Sequence, residues 1–178
     1  MLFLKLKQLR AYTLIEMLMA LSLVGLFATM SLAVYSTLIP SITADCVMMK
    51  LYRSLTFARI EAVRYNVDVS VCPIDSSRTT CGSDWSKGWM IFIDYAGDGA
   101  IHSDTPILQT IGLPTTGDTI TWRGFRNKNY VQFTPMGFTN YLNGTFVYNA
   151  KNHDPALART LSIQKNGAMR FSVGKGTS

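Results

Sequence analysis

Ala11-Tyr12-Thr13-Leu14-Ile15-Glu16-Met17 opens onto a run, residues 17–44, of 28 positions without a charged side chain. As a helix this run would be about 42 Å long at ~1.5 Å per residue, and a bilayer core needs only ~20 apolar residues. A membrane-spanning helix is the reading that follows. A buried core helix is one alternative. A secretory signal peptide is another, but its apolar region would cover only ~7–15 residues before a small-residue cleavage site. This run is longer, and no clean A-x-A site follows it. Glu16 is the anomaly. An acid in such a helix costs ~2.5–3.5 kcal/mol at the bilayer centre and less near an end. Its retention marks a site that needs a counter-charge, the bland alternative being an interfacial carboxylate that reaches water.

Working outward, Lys5, Lys7 and Arg10 precede the run, and no basic residue follows it until Lys50. The positive-inside rule then places the short N-terminus in the cytoplasm and the large C-terminal part outside the inner membrane.

The whole chain is 178 residues long, room for one ordinary domain and an appendage. Apolar residues make up 48% and charged residues 16%, which excludes a disordered chain. Three Cys are too few for a disulfide-built miniprotein and too scattered for a zinc site. The net charge of +6 is uneven: residues 1–11 carry +3, 12–44 carry −1, 45–118 carry −3 and 119–178 carry +7.

Beyond the apolar run, Pro40 is expected to kink or break the helix around residues 35–39. Ser41 or Thr43 could cap a restarted helix reaching about Tyr65. Val47, Leu51, Leu55, Ala58 and Ala62 fall at three- and four-residue spacing along it, an apolar stripe that needs covering. Cys46 reads as a packing residue, with a reactive thiol as the alternative. The period then changes. Val67-Asp68-Val69-Ser70-Val71 alternates as a strand does, and β-rich runs follow at 88–93, 107–111, 119–122, 130–133, 145–148, 160–164 and 169–173. Turn pairs separate them: Asp98-Gly99, Thr116-Gly117, Asn143-Gly144 and Asn166-Gly167, the last two with hairpin character. The pattern predicts an α+β layer, a long helix under a meander of short antiparallel strands.

Residues 11–17 resemble the processing site of type IV pilins and pseudopilins: a short basic leader, a small residue, an aromatic residue, T-L-I-E, then a long apolar helix. In that family a prepilin peptidase cuts after the small residue, and the new aromatic N-terminus is N-methylated. The acid four residues on pairs with a free N-terminal amine during assembly. The resemblance implies cleavage between Ala11 and Tyr12, methylation of Tyr12 and an assembly role for Glu16. The physics agrees, because an ammonium on Tyr12 is the missing counter-charge. Ala11 stands where the family usually has Gly, and Tyr12 where it has Phe. Gly25 lies where the family has a stretch that can melt in filament packing, and the usual kinking Pro near Ala33 is absent.

Downstream residues narrow the resemblance. Ala58-Arg59-Ile60-Glu61-Ala62-Val63-Arg64-Tyr65-Asn66, Val71-Cys72-Pro73, Cys81, Trp85, Gly88-Trp89, Asp94, Phe133 with Gly137, and Asn143-Gly144-Thr145-Phe146 resemble the GspH/FimT branch of minor pilins. The resemblance implies a type IV pilin fold, a long N-terminal helix with a membrane half and an amphipathic half packed on an antiparallel β-sheet domain. It also implies an oxidising periplasm, in which Cys72 and Cys81 pair; two reduced core thiols are the alternative. The expected organisation is a leader at 1–11, a membrane and filament-core helix at 12–39, and a periplasmic domain at 40–178.

No catalytic, metal or cofactor signature stands out. His102 and His153 read as surface loop residues, and Asp94, Asp98 and Asp104 lack EF-hand spacing. There is no Walker or G-x-G-x-x-G sequence. The basic last third could face a polyanion. Arg123, Arg126 and Lys128 interleave with Trp122, Phe125 and Tyr130, and Lys165, Arg170 and Lys175 cluster near the end. Some FimT-type pilins bind DNA for natural transformation through a C-terminal G-R-x-R. Here that stretch is Gly167-Ala168-Met169-Arg170, with the first Arg replaced. A solvated face, or contact with acidic patches of neighbouring pilins, is the competing reading. The expected partners are other major and minor pilins, the prepilin peptidase, the inner-membrane assembly platform and, on the polyanion reading, double-stranded DNA. The expected function is a minor pilin of a type IV pilus or its initiating tip complex. The alternative is an H-type minor pseudopilin of a type II secretion system.

Overall fold

A computed structural model describes residues 12–174, and the side chains of all of these except 29–34, 36 and 37. The chain divides into two units, Met1–Ile39 and Pro40–Ser178. In the first, the described residues form the opening part of helix α1 (Leu14–Tyr65). Leu14, Ile15, Leu18, Leu21 and Val24 are exposed there. Among the described residues no helix is long and apolar enough to cross a membrane. The expected span, 12–39, includes side chains outside the described set, and the expected leader, 1–11, lies wholly outside it.

The second unit begins inside the same helix. Pro40 neither breaks nor restarts α1, contrary to expectation. Proline removes one backbone donor and crowds the preceding turn, but the remaining helix is held from the side by tertiary contacts. Ser41, expected as a cap, instead accepts a hydrogen bond from Arg159 Nη2 at 2.9 Å. Of the expected stripe, Leu51, Leu55, Ala58 and Ala62 are fully buried, while Val47 is only partly buried against the core; Ala44 and Met48 complete the buried face. The helix stops after Tyr65, where Asn66 turns left-handed at φ 55°.

Eight strands follow: β1 (Val69–Pro73), β2 (Gly88–Ile93), β3 (Ile107–Gly112), β4 (Thr119–Gly124), β5 (Val131–Phe133), β6 (Gly144–Asn149), β7 (Arg159–Ile163) and β8 (Met169–Val173). They form two antiparallel sheets, in the orders β3-β2-β1-β5 and β4-β6-β7-β8, rather than the single meander expected. β5 returns to pair with β1, and β4 pairs forward with β6.

Burial explains the division. Every residue of β1 and β2 is buried, so the middle of that sheet is covered on both faces, while the edge strand β3 is largely exposed. On one face Val69, Val71, Trp89, Ile91, Val131 and Phe133 join α1 and the second sheet's Phe146, Leu161 and Ile163 in one core. On the other, Cys72, Ile74, Met90 and Phe92 pack with Cys81, Ile101 and Tyr130. The Cys72–Cys81 disulfide closes this smaller core. A loop this short contributes about 2–3 kcal/mol in the chain-entropy model.

Asn166-Gly167 forms the expected β7–β8 hairpin turn, with Gly167 at φ 73° and its N–H donating to Gln164 O at 2.9 Å. Asn143-Gly144 does not form one: β5 and β6 lie in different sheets. Gly144 is required for another reason. A Cβ there would come within 2.5 Å of Trp122 Cη2 and of the Arg123 carbonyl. The missing side chain lets Trp122 lie 4.4 Å from Phe146, ring centre to ring centre.

Candidate functional site

At the start of α1 the sequence T-x-x-E closes on itself. Thr13 N–H donates to Glu16 Oε2 at 3.1 Å, Thr13 Oγ1 reaches the same oxygen at 3.3 Å, and Glu16 N–H donates to Thr13 Oγ1 at 3.3 Å. This is a capping box, in which two orphan donors of a helix end are satisfied reciprocally. Both residues are exposed, as is Tyr12. Glu16 is thereby aimed back at the N-terminal end of the helix, one residue from Tyr12. The sequence signal for Thr13 is S/T-x-x-E before an apolar run, a pattern that overlaps the processing signature. Ala11, the other side of the expected cleavage point, lies outside the described residues.

The basic candidates fall into two groups. Arg123, Arg126 and Lys128 lie at the end of β4 and just after it, while Lys165 and Arg170 lie in the β7–β8 turn and on β8. These are opposite edges of one sheet. The register nevertheless aligns Arg123 with Thr145, Thr145 with Ser162 and Ser162 with Arg170. Paired residues share a face, so the two arginines end one row, about 14 Å apart at ~4.8 Å per strand. Thr145 Oγ1 and Ser162 Oγ bridge its middle at 3.3 Å. The other cations stack on aromatic rings: Lys165 Nζ is 4.4 Å from the Tyr141 ring centre, Arg126 is 5.4 Å from Phe125 and Lys128 is 5.6 Å from Tyr130. Lys175 lies outside the described residues.

Arg159 belongs to the same basic stretch but is not part of this surface. It is buried, and it donates to Asp45 Oδ1 at 2.6 Å, to the Ala156 and Ala158 carbonyls at 2.9 and 3.1 Å, and to Ser41. It ties the first residue of β7 to α1.

The aspartates do not converge, and among the described residues no three His, Cys, Asp or Glu side chains gather into a metal-binding group. Asp94 is buried and accepts from Ser70 Oγ, Gln132 Nε2 and the Gly97 and Gly99 N–H groups at 2.7–2.8 Å. Burial pushes the nearby Asp68 above the ordinary carboxylate range, and the Asp94 charge adds to the shift. Asp98 faces His102 Nε2 at 3.0 Å, and Asp104 accepts from Ser103 Oγ. His102 and His153 are both exposed. Cys46, expected in packing, is instead an exposed free thiol, because it falls one position off the buried helix stripe.

Comparison with known proteins adds a family and a fold. The sequence model of the family described as type II transport protein GspH matches residues 48–167. The fold is similar to that of the type IV minor pilin FimU of Pseudomonas aeruginosa. One crystal form, P21, is 21% identical, covering 73% of this chain and 88% of that one with a TM-score of 0.59. The P65 form is 22% identical, covering 72% and 91% with a TM-score of 0.56. The minor pseudopilin EpsH from the type 2 secretion system of Vibrio cholerae is 16% identical over 74% and 94%, with a TM-score of 0.49. No curated protein sequence matches significantly.

Proposed function

Because the chain belongs to the GspH family, we propose that it is a minor pilin, cut after Ala11 and built into a type IV pilus or its initiating tip complex. Residues 1–11 are then the leader, 12–39 the segment that leaves lipid for the filament core, and 40–178 the periplasmic domain. The role is assembly rather than catalysis, and the partners are other pilins, the prepilin peptidase and the inner-membrane assembly platform. The observation that carries this reading is the Glu16 carboxylate, exposed at the head of an apolar helix and turned toward residue 13. Cleavage before Tyr12 would create a cation one residue from the group Glu16 already faces. Mass spectrometry of the protein from cells is expected to find N-methylated Tyr12 as the first residue. A polypeptide that still begins at Met1 would overturn the proposal. The same helix physics serves a type II secretion pseudopilin; recovery of the protein in sheared pilus fractions separates the two, since a secretion pseudopilin is absent from them.

A second reading, contact with double-stranded DNA, is favoured by the row from Arg123 to Arg170. Its ends can meet phosphates on two strands while the threonine and serine hydroxyls lie between. Binding of this kind is electrostatic and releases counterions. The Arg123→Ala, Arg170→Ala double variant is expected to bind a labelled duplex at least ten-fold more weakly at low salt, with the salt slope reduced by about 2. No mobility shift of the duplex by the unaltered protein at low salt removes this reading.

A further inference from the structure

β3 is the free edge of its sheet, and a trough of about 970 Å³ runs between it and α1. One wall carries Cys46, Lys50, Arg53 and Phe57 of the helix; the other is the strand from Leu108 to Gly112. Twelve helical residues and five strand residues both span about 17 Å, so the walls match in length. The edge is chemically open. Leu113 N–H donates to Lys87 O at 2.9 Å, fixing which residues face β2. By the alternation of an antiparallel ladder, Ile111 and Gln109 continue that bonding, while Thr110 and Gly112 turn their N–H and C=O groups outward.

The charge of the trough is one-sided. Lys50 and Arg53 are exposed and form no ion pair or hydrogen bond among the described residues. No acidic residue lines the trough, and the exposed Arg78 guanidinium packs over Gly112 at one end. An unpaired strand edge left open in this way is a template for another strand unless it is blocked. Here no proline stands within residues 108–112, and all five line the trough.

We propose that this trough takes an extended, acidic segment of a partner polypeptide as an added strand on β3. Main-chain bonds to Thr110 and Gly112 give the affinity, and Lys50 with Arg53 select acidic side chains at alternate positions. The site shares no residue with the Thr13–Glu16 cap or with the Arg123–Arg170 row, and it is independent of which filament the chain enters.

The test uses the full chain in detergent micelles with a fluorophore on Cys46, the one thiol outside the disulfide and itself part of the trough wall. The probe is the blocked hexapeptide Glu-Ile-Glu-Val-Glu-Thr. It is expected to bind at least ten-fold more tightly than Lys-Ile-Lys-Val-Lys-Thr, and the Lys50→Glu, Arg53→Glu double variant is expected to invert that order. Main-chain pairing is tested twice. Thr110→Pro removes an outward donor without touching the β2 ladder, as an edge position tolerates. A peptide N-methylated at two adjacent central amides can pair along neither edge, and its use needs no change to the protein. Each is expected to lose at least ten-fold in binding. No fluorescence response to the acidic peptide up to about 5 mM, equal binding of the two charge types, or undiminished binding of the methylated peptide overturns the proposal.

Discussion

Replacing Asp94 by alanine is expected to destabilise the domain by about 3–5 kcal/mol and to lower its melting temperature by roughly 10–20 °C. The carboxylate is buried, and every contact it makes is to a donor. Oδ1 takes the Gly97 N–H, while Oδ2 takes the Ser70 hydroxyl, the Gln132 amide and the Gly99 N–H. Gln132 cannot turn to another acceptor freely, because its own oxygen accepts from Asn140 Nδ2 at 2.7 Å. Truncation therefore leaves several donors without partners inside the protein, each costing ~1–3 kcal/mol where water cannot reach. The charge also joins elements distant in sequence: β1 through Ser70, β5 through Gln132, and the 97–99 turn. Asp94→Asn is expected to recover only part of the loss. An amide replaces one acceptor oxygen with an NH₂ group, which then faces N–H or O–H donors. Thermal denaturation followed by circular dichroism reads both variants. A shift under about 3 °C for the alanine variant would mean that the donors find water, and that Asp94 does not anchor the sheet.

The same network shows where sequence reading succeeds and where it stops. Strands β2 and β8 were legible to the residue, since Gly88 and Asn166-Gly167 punctuate runs of β-branched, aromatic and long apolar side chains. The helix end at Tyr65 was legible for a similar local reason. What failed was non-local. Pro40 has an intrinsic tendency to interrupt a helix, but Arg159, more than a hundred residues away, holds Ser41 and Asp45 in it. Asn143-Gly144 has the composition of a tight turn, but its glycine answers to Trp122 on a neighbouring strand. The division into two sheets depends on β5 finding β1 rather than β4, a choice no local pattern encodes. The +7 of residues 119–178 includes the buried Arg159, because composition cannot register burial. At the candidate site Glu16 and the basic residues are visible in the sequence. Thr13 is the exception, because T-L-I-E reads as a processing signature before it reads as a helix cap. The arginine row appears only when strand register is known.

The two meanings of T-L-I-E can be separated, and the separation is the largest functional effect expected for this chain. If Glu16 acts only as the partner of Thr13, then Glu16→Gln should be harmless, because glutamine also closes a capping box. If its charge pairs with an amine on Tyr12, Glu16→Gln should fail as completely as Glu16→Ala. We expect the second outcome. A pair of unit charges about 4 Å apart is worth ~4 kcal/mol at an effective dielectric of 20, while a cap residue contributes ~1 kcal/mol. Both Glu16 variants are expected to reduce recovery in sheared filaments at least ten-fold, with the cell-associated amount unchanged. Thr13→Ala is expected to keep more than half of the parent's recovery. The ordering follows from geometry as well as magnitude. In the single chain the cap already points the carboxylate toward the end of the helix where the amine would appear, so assembly would exchange a neutral N–H donor for a charged one with little reorganisation. Quantitative immunoblots of sheared and cell-bound fractions give the readout. Normal recovery of Glu16→Gln would reduce Glu16 to a helix cap, and an equal loss in Thr13→Ala would move the essential contact to the threonine hydroxyl.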